Sequence, residues 1–256
     1  MSSFLRLLAA YRPWALGLLA LPVLLAGCRH DVVVVPAYDN YFPVEVGTYR
    51  TYAVADSSWL KGALTVSNYQ FRERVTEQFA DAAGQPAYRL VRSKRPNSAA
   101  GWVDDSAFVV QPMARAVVVT RNNIRTVALI YPVQANKGWN DMAFSASPDT
   151  ITSLTRFYGP NVAAPYTVPA AQGQPAVTYP VTVTTKTTLD GGIDDVNALY
   201  QRGLQQVYAS GTGLVQRRRF SHNTYYLLPD NSTKLTPGVV QDGYSRFEVL
   251  IDKGTI

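Results

Sequence analysis

The sequence is poor in the side chains that most catalytic and metal sites use. Its 256 residues include one cysteine and two histidines. One cysteine excludes a disulfide framework within the chain and a zinc site of several thiolates. Two histidines exclude sites that need several imidazoles. Charged residues make up 16% of the chain and hydrophobic residues 47%, a balance typical of a packed domain rather than of a charge-solvated, disordered chain.

The first 27 residues carry the pattern of a secretory signal peptide. Arg6 and Arg12 give the start of the chain its positive charge, and an uncharged, mostly apolar run follows from Trp14 to Gly27. This run is shorter than the ~20 residues that a membrane-spanning helix needs. We therefore expect residues 1–27 to be removed on export rather than to remain as an anchor.

Leu25-Ala26-Gly27-Cys28 resembles the lipobox of bacterial lipoproteins. In that family the chain is cut just before the cysteine, and the thiol is diacylated with chains such as palmitate. The resemblance implies lipidation at Cys28, a tether over residues 28–40 and firm membrane binding, because two or three acyl chains hold a domain where one would be marginal. Arg29 is not the acidic residue that retains such proteins at the inner membrane, so the resemblance implies the outer membrane, facing the periplasm or the cell surface. The alternative is a secreted protein whose cysteine is incidental.

Residues 41–256 predict one β-rich domain. Short runs of β-branched and aromatic residues alternate with Gly, Pro, Asn and Asp, which is typical of antiparallel strands and their turns. The predicted strands are Thr48–Ala55, Ala87–Arg95, Trp102–Gln111, Arg115–Arg121, Ile124–Tyr131, Val177–Leu189, Leu204–Ala209, Leu214–His222 and Tyr244–Asp252. The fold class that follows is all-β, as a single, strongly curved antiparallel sheet, an open half-barrel or a sandwich.

Two segments are less regular. Ser67–Gly84 has apolar residues at helical spacing, but Tyr69, Phe71, Val75 and Phe79 also share one face of a strand, and we predict a strand. Gly159–Ala176 is rich in Ala, Pro, Gly and Gln and predicts a long extended loop.

The start of this domain carries a second resemblance. Tyr41-Phe42-Pro43-Val44-Glu45-Val46-Gly47-Thr48-Tyr49-Arg50-Thr51-Tyr52 resembles the opening Tyr-[Tyr/Phe]-Pro-Leu-x-x-Gly-x-x-Trp-x-Tyr of a group of uncharacterised Gram-negative outer-membrane lipoproteins, with Arg50 in place of Trp. Tyr131–Asn140 and Tyr208–Val215 resemble later signatures of the group. The resemblance implies a mainly antiparallel β domain and assigns no chemistry.

The motifs that could carry chemistry have simpler structural interpretations. Gly211-Thr212-Gly213 lacks the third glycine and the helix of a phosphate loop, so it predicts a tight turn. The acidic clusters Asp104-Asp105 and Asp190–Asp195 lack calcium-loop spacing and predict solvated turns. The chain has no Gly-x-Ser-x-Gly motif to present a serine nucleophile to His222. We therefore predict that His222 is a hydrogen-bonded surface histidine on a strand. We expect no catalytic residue, cofactor or metal.

These observations predict a non-enzymatic binding or structural module with a protein, glycan or lipid partner. The net charge of +6 is spread along the chain, with one dense run at Arg217–Arg219, which does not indicate nucleic-acid binding. An exposed row of Trp59, Trp102 and Trp139 would instead indicate a platform for a glycan or an apolar ligand, although aromatic residues on strands usually pack in the core.

Two alternatives stay open at the level of the sequence. A carrier of lipid or another apolar ligand would line a dry cavity with Val177, Tyr179, Val181 and Val183, and use Gly159–Ala176 as a lid. A hydrolase would depend on carboxylates that converge in one pocket. The candidates for that role are Asp104, Asp105, Asp194 and Asp195.

Overall fold

The computed structural model describes residues 40–144, 154–187 and 199–256, together with the backbone of residues 195 and 196. All of them belong to one compact unit, Val35–Ile256. The predicted signal peptide, Cys28, most of the tether, and Asp190–Asp194 lie outside the described residues. Within the described part of the chain, no helix is long and apolar enough to cross a membrane.

The described residues form an all-β domain, as the sequence predicts. The strands are β1 (Thr48–Leu60), β2 (Ala63–Ala80), β3 (Pro86–Arg95), β4 (Val103–Met113), β5 (Ala116–Arg121), β6 (Ile124–Ile130), β7 (Gly138–Trp139), β8 (Arg156–Val168), β9 (Val177–Thr187), β10 (Asp195–Val196), β11 (Tyr200–Ala209), β12 (Gly213–Asn223), β13 (Tyr225–Leu227), β14 (Thr233–Leu235) and β15 (Asp242–Thr255). The strand predicted within Ser67–Gly84 is confirmed as part of β2.

Thirteen of these strands make one antiparallel sheet. Its order is β6-β5-β4-β3-β2-β1-β15-β12-β11-β9-β8-β7, with β10 beside β11, while β13 and β14 form a separate pair. Most neighbours are joined by short hairpins, such as the Asn122-Asn123 turn, in which both residues have positive φ. The chain returns at β15, which pairs with both β1 and β12.

The sheet is so strongly curved that its two ends meet. The backbone N of Val127 on β6 donates to the carbonyl oxygen of Asp141, 2.7 Å away. The indole Nε1 of Trp139 on β7 donates to the carbonyl oxygen of Val127 at 2.9 Å. The hydroxyl of Tyr158 on β8 donates to Ile130 O at 2.6 Å and accepts from Ile130 N at 3.0 Å. These bonds nearly close the sheet on itself and satisfy polar groups at its edges.

The curvature gives the sheet an inner and an outer face, and alternate residues of each strand point to each. Tyr52 and Val54 of β1 lie on the inner face opposite Phe71 and Tyr69 of β2, and all four are buried. Aromatic and β-branched side chains from most strands fill part of this interior, with Tyr52, Tyr158 and Tyr208 among the most deeply buried.

The prediction of a loop over Gly159–Ala176 is wrong for most of its length, because β8 continues to Val168. Pro160 and Pro165 lie at interruptions of the β8–β9 register. Among the described residues, no other strand lies beside this part of β8, since β7 pairs only with Arg156 and Phe157. Proline is tolerated on such a free edge and at bulges, because no ladder hydrogen bond needs its missing N–H.

The outer half of the β8–β9 hairpin, residues 162–181, forms an arm that leaves the sheet. β11 pairs with β9 only from Thr182 to Thr187. Beyond that point the arm crosses the outer face: Gln172 Nε2 donates to the carbonyl oxygen of Tyr69 at 2.9 Å, and Gln216 Nε2 donates to the hydroxyl of Tyr166 at 2.8 Å. The outer face of β1, β2 and β12 is therefore covered by the chain itself.

A candidate binding cavity lined by arginine

The inner face of the sheet encloses a cavity of about 1020 Å³. Its size is that of a pocket for a small organic molecule. It is lined mainly by residues of β1, β2, β5, β6, β11, β12 and β15. Hydroxyl side chains, including Ser58, Thr65 and Ser67, line part of its wall.

Strand alternation turns several charged side chains into this cavity. Phe71 and Glu73 are two residues apart on β2, so both point inward. On β12, Arg217 and Arg219 point inward, whereas Arg218 between them is exposed on the other face and does not line the cavity. Charged residues at inward positions of a sheet are uncommon, and they must be neutralised or hydrogen-bonded to be stable there.

Glu73 is the centre of the charged lining. Its side chain is 7% exposed, and Oε1 forms ion pairs with Arg92 and, at 3.3 Å, with Arg121. Burial opposes ionisation, but the three nearby arginines, 92, 121 and 217, lower the pKa of Glu73 to about 2. Glu73 is therefore a carboxylate at all physiological pH values.

The surroundings of Arg121 disfavour its charged form. Burial and the charge of Arg92 lower the pKa of Arg121 to about 10, although Glu73 acts in the opposite direction. Its guanidinium lies 3.5 Å from the ring centroid of Phe108, and its side chain remains 35% exposed. It is one of two arginines that share a single carboxylate.

Two further ion pairs lie on β12, β15 and β1. Arg217 Nη1 is 2.9 Å from Glu248 Oε2, whose side chain is 2% exposed. Arg246 binds Asp56 through two hydrogen bonds of 2.7 and 2.8 Å, and the hydroxyl of Tyr69 donates to the same carboxylate. These hydrogen bonds and the charge of Arg246 lower the pKa of Asp56 in spite of its partial burial.

A fourth pair lies where the ends of the sheet meet. Arg156 Nη2 is 3.2 Å from Asp141 Oδ2, and Nη1 of the same arginine donates to the carbonyl oxygen of Val127 at 3.1 Å. Both side chains are about nine-tenths buried. Burial lowers the pKa of Arg156 in spite of the opposing effect of Asp141. This pair therefore joins β6 to β8 and also forms part of the cavity wall.

The lining carries more positive than negative charge. Among the residues that line the cavity are seven arginines and four carboxylates, which leaves 7 − 4 = +3. Arg50 contributes to the excess because Nε and Nη2 donate to the carbonyl oxygens of Thr212 and Pro43, not to a carboxylate. Arg219 contributes as well, since no hydrogen bond or ion pair joins its guanidinium to any residue that the structure describes.

The residues predicted to line a carrier cavity are not in this wall. Val183 is fully buried in the core, Tyr179 and Val181 pack against the core from the arm, and Val177 is 42% exposed. None of the four lines the cavity. The segment proposed as a lid forms the arm on the outer face. The predicted lining and the predicted lid of the carrier are therefore both wrong, because the hairpin bends away from the sheet where its pairing with β11 ends.

The predicted acidic candidates do not form a pocket within the described residues. Asp104 and Asp105 are exposed neighbours on β4, so their side chains point to opposite faces. Asp104 accepts hydrogen bonds from Ser93 at 2.6 Å and Arg74 at 2.7 Å. Asp194 and the side chain of Asp195 lie outside the described residues. No cluster of three His, Cys, Asp or Glu side chains able to hold a metal occurs in the part of the chain that is described.

His222 differs from its prediction. It lies on β12, as expected, but it is buried rather than on the surface, with 9% of its area exposed. Its ring packs at centroid distances of 4.8 Å from Trp59 and 5.6 Å from Phe220. Nε2 has no hydrogen-bond partner among the described residues. Burial, together with the charge of Arg218, lowers the pKa of His222, as expected for a neutral packing residue.

The remaining motifs have structural roles. Gly211 and Gly213 have φ values of +67° and +94° in the turn between β11 and β12, as the prediction of a tight turn requires. Trp139 is buried, while Trp102 lies between the guanidinium groups of Arg72 and Arg95, 4.6 and 4.2 Å from its ring centroid. The three tryptophans of the domain are thus in separate contacts and do not form one exposed row.

The sequence carries a signal for this cavity that the strand predictions do not use. Glu73 falls on the same strand face as Tyr69, Phe71 and Val75, and Arg217 and Arg219 share a face of β12. A charge within an apolar strand face indicates an interior partner of opposite charge. The partners themselves lie on other strands, so only the sheet order identifies them.

No protein-family model matches the chain, and no curated protein does. A candidate lipoprotein of Parabacteroides distasonis with a crystal structure is similar to this chain at a TM-score of 0.38 and 12% identity. The alignment covers 84% of this chain and 99% of that one. A likeness at this level supports no inference about the function of this chain.

Proposed function

We propose that this protein is a non-enzymatic binding module of the Gram-negative cell envelope, anchored to the outer membrane through lipid at Cys28, and that the arginine-lined cavity is its binding site. The observation that carries the binding role is the cavity of about 1020 Å³ inside the nearly closed sheet. Protein interiors are normally filled at crystal-like density. A space of this size is typical of a preformed ligand site, and ion pairs hold the charged groups of its lining in place.

The state of the carboxylates supports a binding role over hydrolysis. Asp56, Glu73, Asp141 and Glu248 each form an ion pair with an arginine of the lining. A general acid must be protonated near neutral pH, and a pKa of about 2 makes Glu73 unsuitable as an acid and weak as a base. Asp56, with its lowered pKa, is unsuitable as an acid for the same reason.

The lining also favours a polar ligand over an apolar one. A lipid chain in this cavity would remove water from several guanidinium groups without replacing their hydrogen bonds, which is unfavourable. A ligand with acidic groups would replace that water with charge-assisted hydrogen bonds. The carrier of apolar ligands is therefore not retained as a candidate.

The anchor is tested by metabolic labelling with a radioactive fatty acid. We expect the wild-type protein to incorporate label and to fractionate with the outer membrane. A Cys28→Ala variant should lose the label and stay unprocessed or become soluble, because the acylated thiol is absent. Arg29→Ala, next to the cysteine, is the matched control and should keep the label. Label that persists in Cys28→Ala would refute the anchor.

The binding role is tested by native mass spectrometry of the protein purified from membranes in detergent and incubated with envelope extract. We expect a bound small molecule on the wild-type protein. Leu204→Trp, which fills the cavity, should abolish this binding, whereas Gln205→Trp, the next residue on β11, should not, because Gln205 does not line the cavity. A wild-type protein that binds nothing, or equal binding by the two variants, would refute the cavity as the site.

A further inference from the structure

Three positive charges of the cavity lining lack a carboxylate of their own. Arg121 shares Glu73 with Arg92. Arg50 binds only carbonyl oxygens. Arg219 is exposed at the cavity wall, with its guanidinium unpaired within the described chain. The internal acidic groups thus leave part of the lining unneutralised.

Of these three, Arg121 and Arg219 are the ones available to a ligand. Arg50 is 9% exposed, and the guanidinium is held beneath Gly213, whose added Cβ would lie 3.1 Å from Cζ of Arg50. Arg121 keeps 35% of its side chain exposed, and Arg219 is exposed. They are on β5 and β12, so they approach the cavity from different parts of the sheet.

An anion between these groups would be stabilised in two ways. A cleft with low-dielectric walls and a net positive charge concentrates the potential inside it, which raises the local concentration of anions. The anion would also relieve the repulsion between Arg121 and Arg92 that helps to lower the pKa of Arg121. Guanidinium groups bind carboxylate and phosphate oxygens with paired, directional hydrogen bonds.

We propose that the cavity binds an organic anion with at least two acidic groups, carboxylate or phosphate, and that Arg121 and Arg219 are the residues that contact those groups. This rests on the proposed function, because it names the ligand class of the same cavity. The volume of about 1020 Å³ has room for a carbon skeleton beyond the acidic groups. The hydroxyls of Ser58, Thr65 and Ser67 in the wall suit a hydroxylated skeleton.

The test is isothermal titration calorimetry in phosphate-free, low-salt buffer with the protein purified from membranes in a non-ionic detergent. Glucarate, gluconate and sorbitol share one hydroxylated chain and carry two, one and no carboxylates. We expect affinity to fall in that order, with glucarate about tenfold tighter than gluconate, because each acidic group adds a charge-assisted hydrogen bond. Pyrophosphate is titrated separately to compare phosphate with carboxylate.

Substitutions test which arginines contact the acidic groups of the ligand. Arg219→Gln and Arg121→Gln should each weaken glucarate binding by about tenfold through loss of one charged donor. Arg219 is exposed, so its variant should fold even if Arg121→Gln does not. Arg218→Gln, on the same strand but outside the cavity, should leave the affinity unchanged.

The outcomes separate this inference from the proposed function. Tighter binding of glucarate or of pyrophosphate, lost in Arg219→Gln but not in Arg218→Gln, supports the inference and shows which acidic group is preferred. Equal binding of sorbitol and glucarate, or a neutral molecule recovered from the cavity by native mass spectrometry, overturns the inference while the binding role stands. Failure of all the probes overturns the inference, and an empty wild-type cavity after incubation with envelope extract overturns both.

Discussion

A carboxylate inside a β-sheet is stable only when nearby groups neutralise it, and Glu73 meets this condition with Arg92 and Arg121. Strand alternation alone places Glu73 on the inner face, between Phe71 and Val75. The arginines come from β3 and β5, so the neutralisation depends on the correct order of four strands. At the scale of single residues, the charge of the cavity therefore depends on which strands are neighbours in the sheet.

The pKa of Glu73 leads to a prediction about acid stability. The carboxyl has a pKa of about 2 in the folded protein against an ordinary value of 4.5. Because the folded value is the lower one, the ionised form stabilises the fold above the ordinary pKa, and this contribution is lost as pH falls towards the folded value. Between about pH 6 and about pH 3 we expect a loss of about 2 kcal/mol from this group.

The measurement is the free energy of unfolding in urea, followed by tryptophan fluorescence, for the wild type and Glu73→Gln. Glu73→Gln should be less stable at about pH 6, because two guanidinium groups lose their carboxylate, and the difference should shrink by about 2 kcal/mol at about pH 3. Glu77→Gln, whose ion pair with Arg89 is roughly half exposed, is the control and should keep a small, constant difference. A constant difference for Glu73→Gln as well would contradict the account.

At the scale of strands and hairpins, the sequence predicts most of the sheet. Apolar alternation located β1, β9 and β12, and the Asn122-Asn123 turn located the β5–β6 hairpin, because these signals are local. The β8–β9 arm could not be predicted in this way. Its prolines are compatible with a strand only because the strand edge is free, and a free edge is a property of the assembled sheet.

The same limit applies to the candidate site. Alternation on one strand shows that Glu73 and the inward arginines of β12 face the interior, and this much was available from the sequence. Which acid meets which arginine depends on strand order, since Glu73 and Arg121 are 48 positions apart in the chain. The cavity lies inside the sheet and not beneath the predicted Gly159–Ala176 lid. This too depends on the assembled sheet, because it follows from where the arm leaves it.

The packing of the arm on the outer face is tested by two matched substitutions. Val168 and Val177 are register partners on β8 and β9, with exposed fractions of 1% and 42%. Val168→Ala should lower the free energy of unfolding by about 2 kcal/mol, from lost burial and a residual cavity. Val177→Ala should change it by less than about 0.5 kcal/mol. Equal effects in urea unfolding would show that the arm does not pack as described.

At the scale of the whole domain, the cavity exists because the sheet is nearly closed on itself. A sheet whose ends meet has an inside, and contacts from Trp139, Arg156 and Tyr158 hold the ends together. The core fills part of this interior, and the ion-paired arginines line the rest. The unfilled part is thus expected to be open to solvent and positively charged.

The most direct test of that claim measures the potential inside the cavity. Cys28 is the only cysteine, so a Cys28→Ala chain with Leu204→Cys has one thiol, at a cavity position paired with Arg219 in the sheet register. Its reaction rates are compared for the anionic reagent sulfonatoethyl methanethiosulfonate and the cationic reagent trimethylammonioethyl methanethiosulfonate. Val103→Cys, at a position that is 70% exposed and outside the cavity, is the reference.

We expect the ratio of anionic to cationic rates to be on the order of tenfold higher at position 204 than at position 103, and to fall as salt is added, because a positive cleft concentrates anions and salt screens that effect. Equal ratios at the two positions, or a thiol at position 204 that neither reagent reaches, would contradict an open, positively charged cavity.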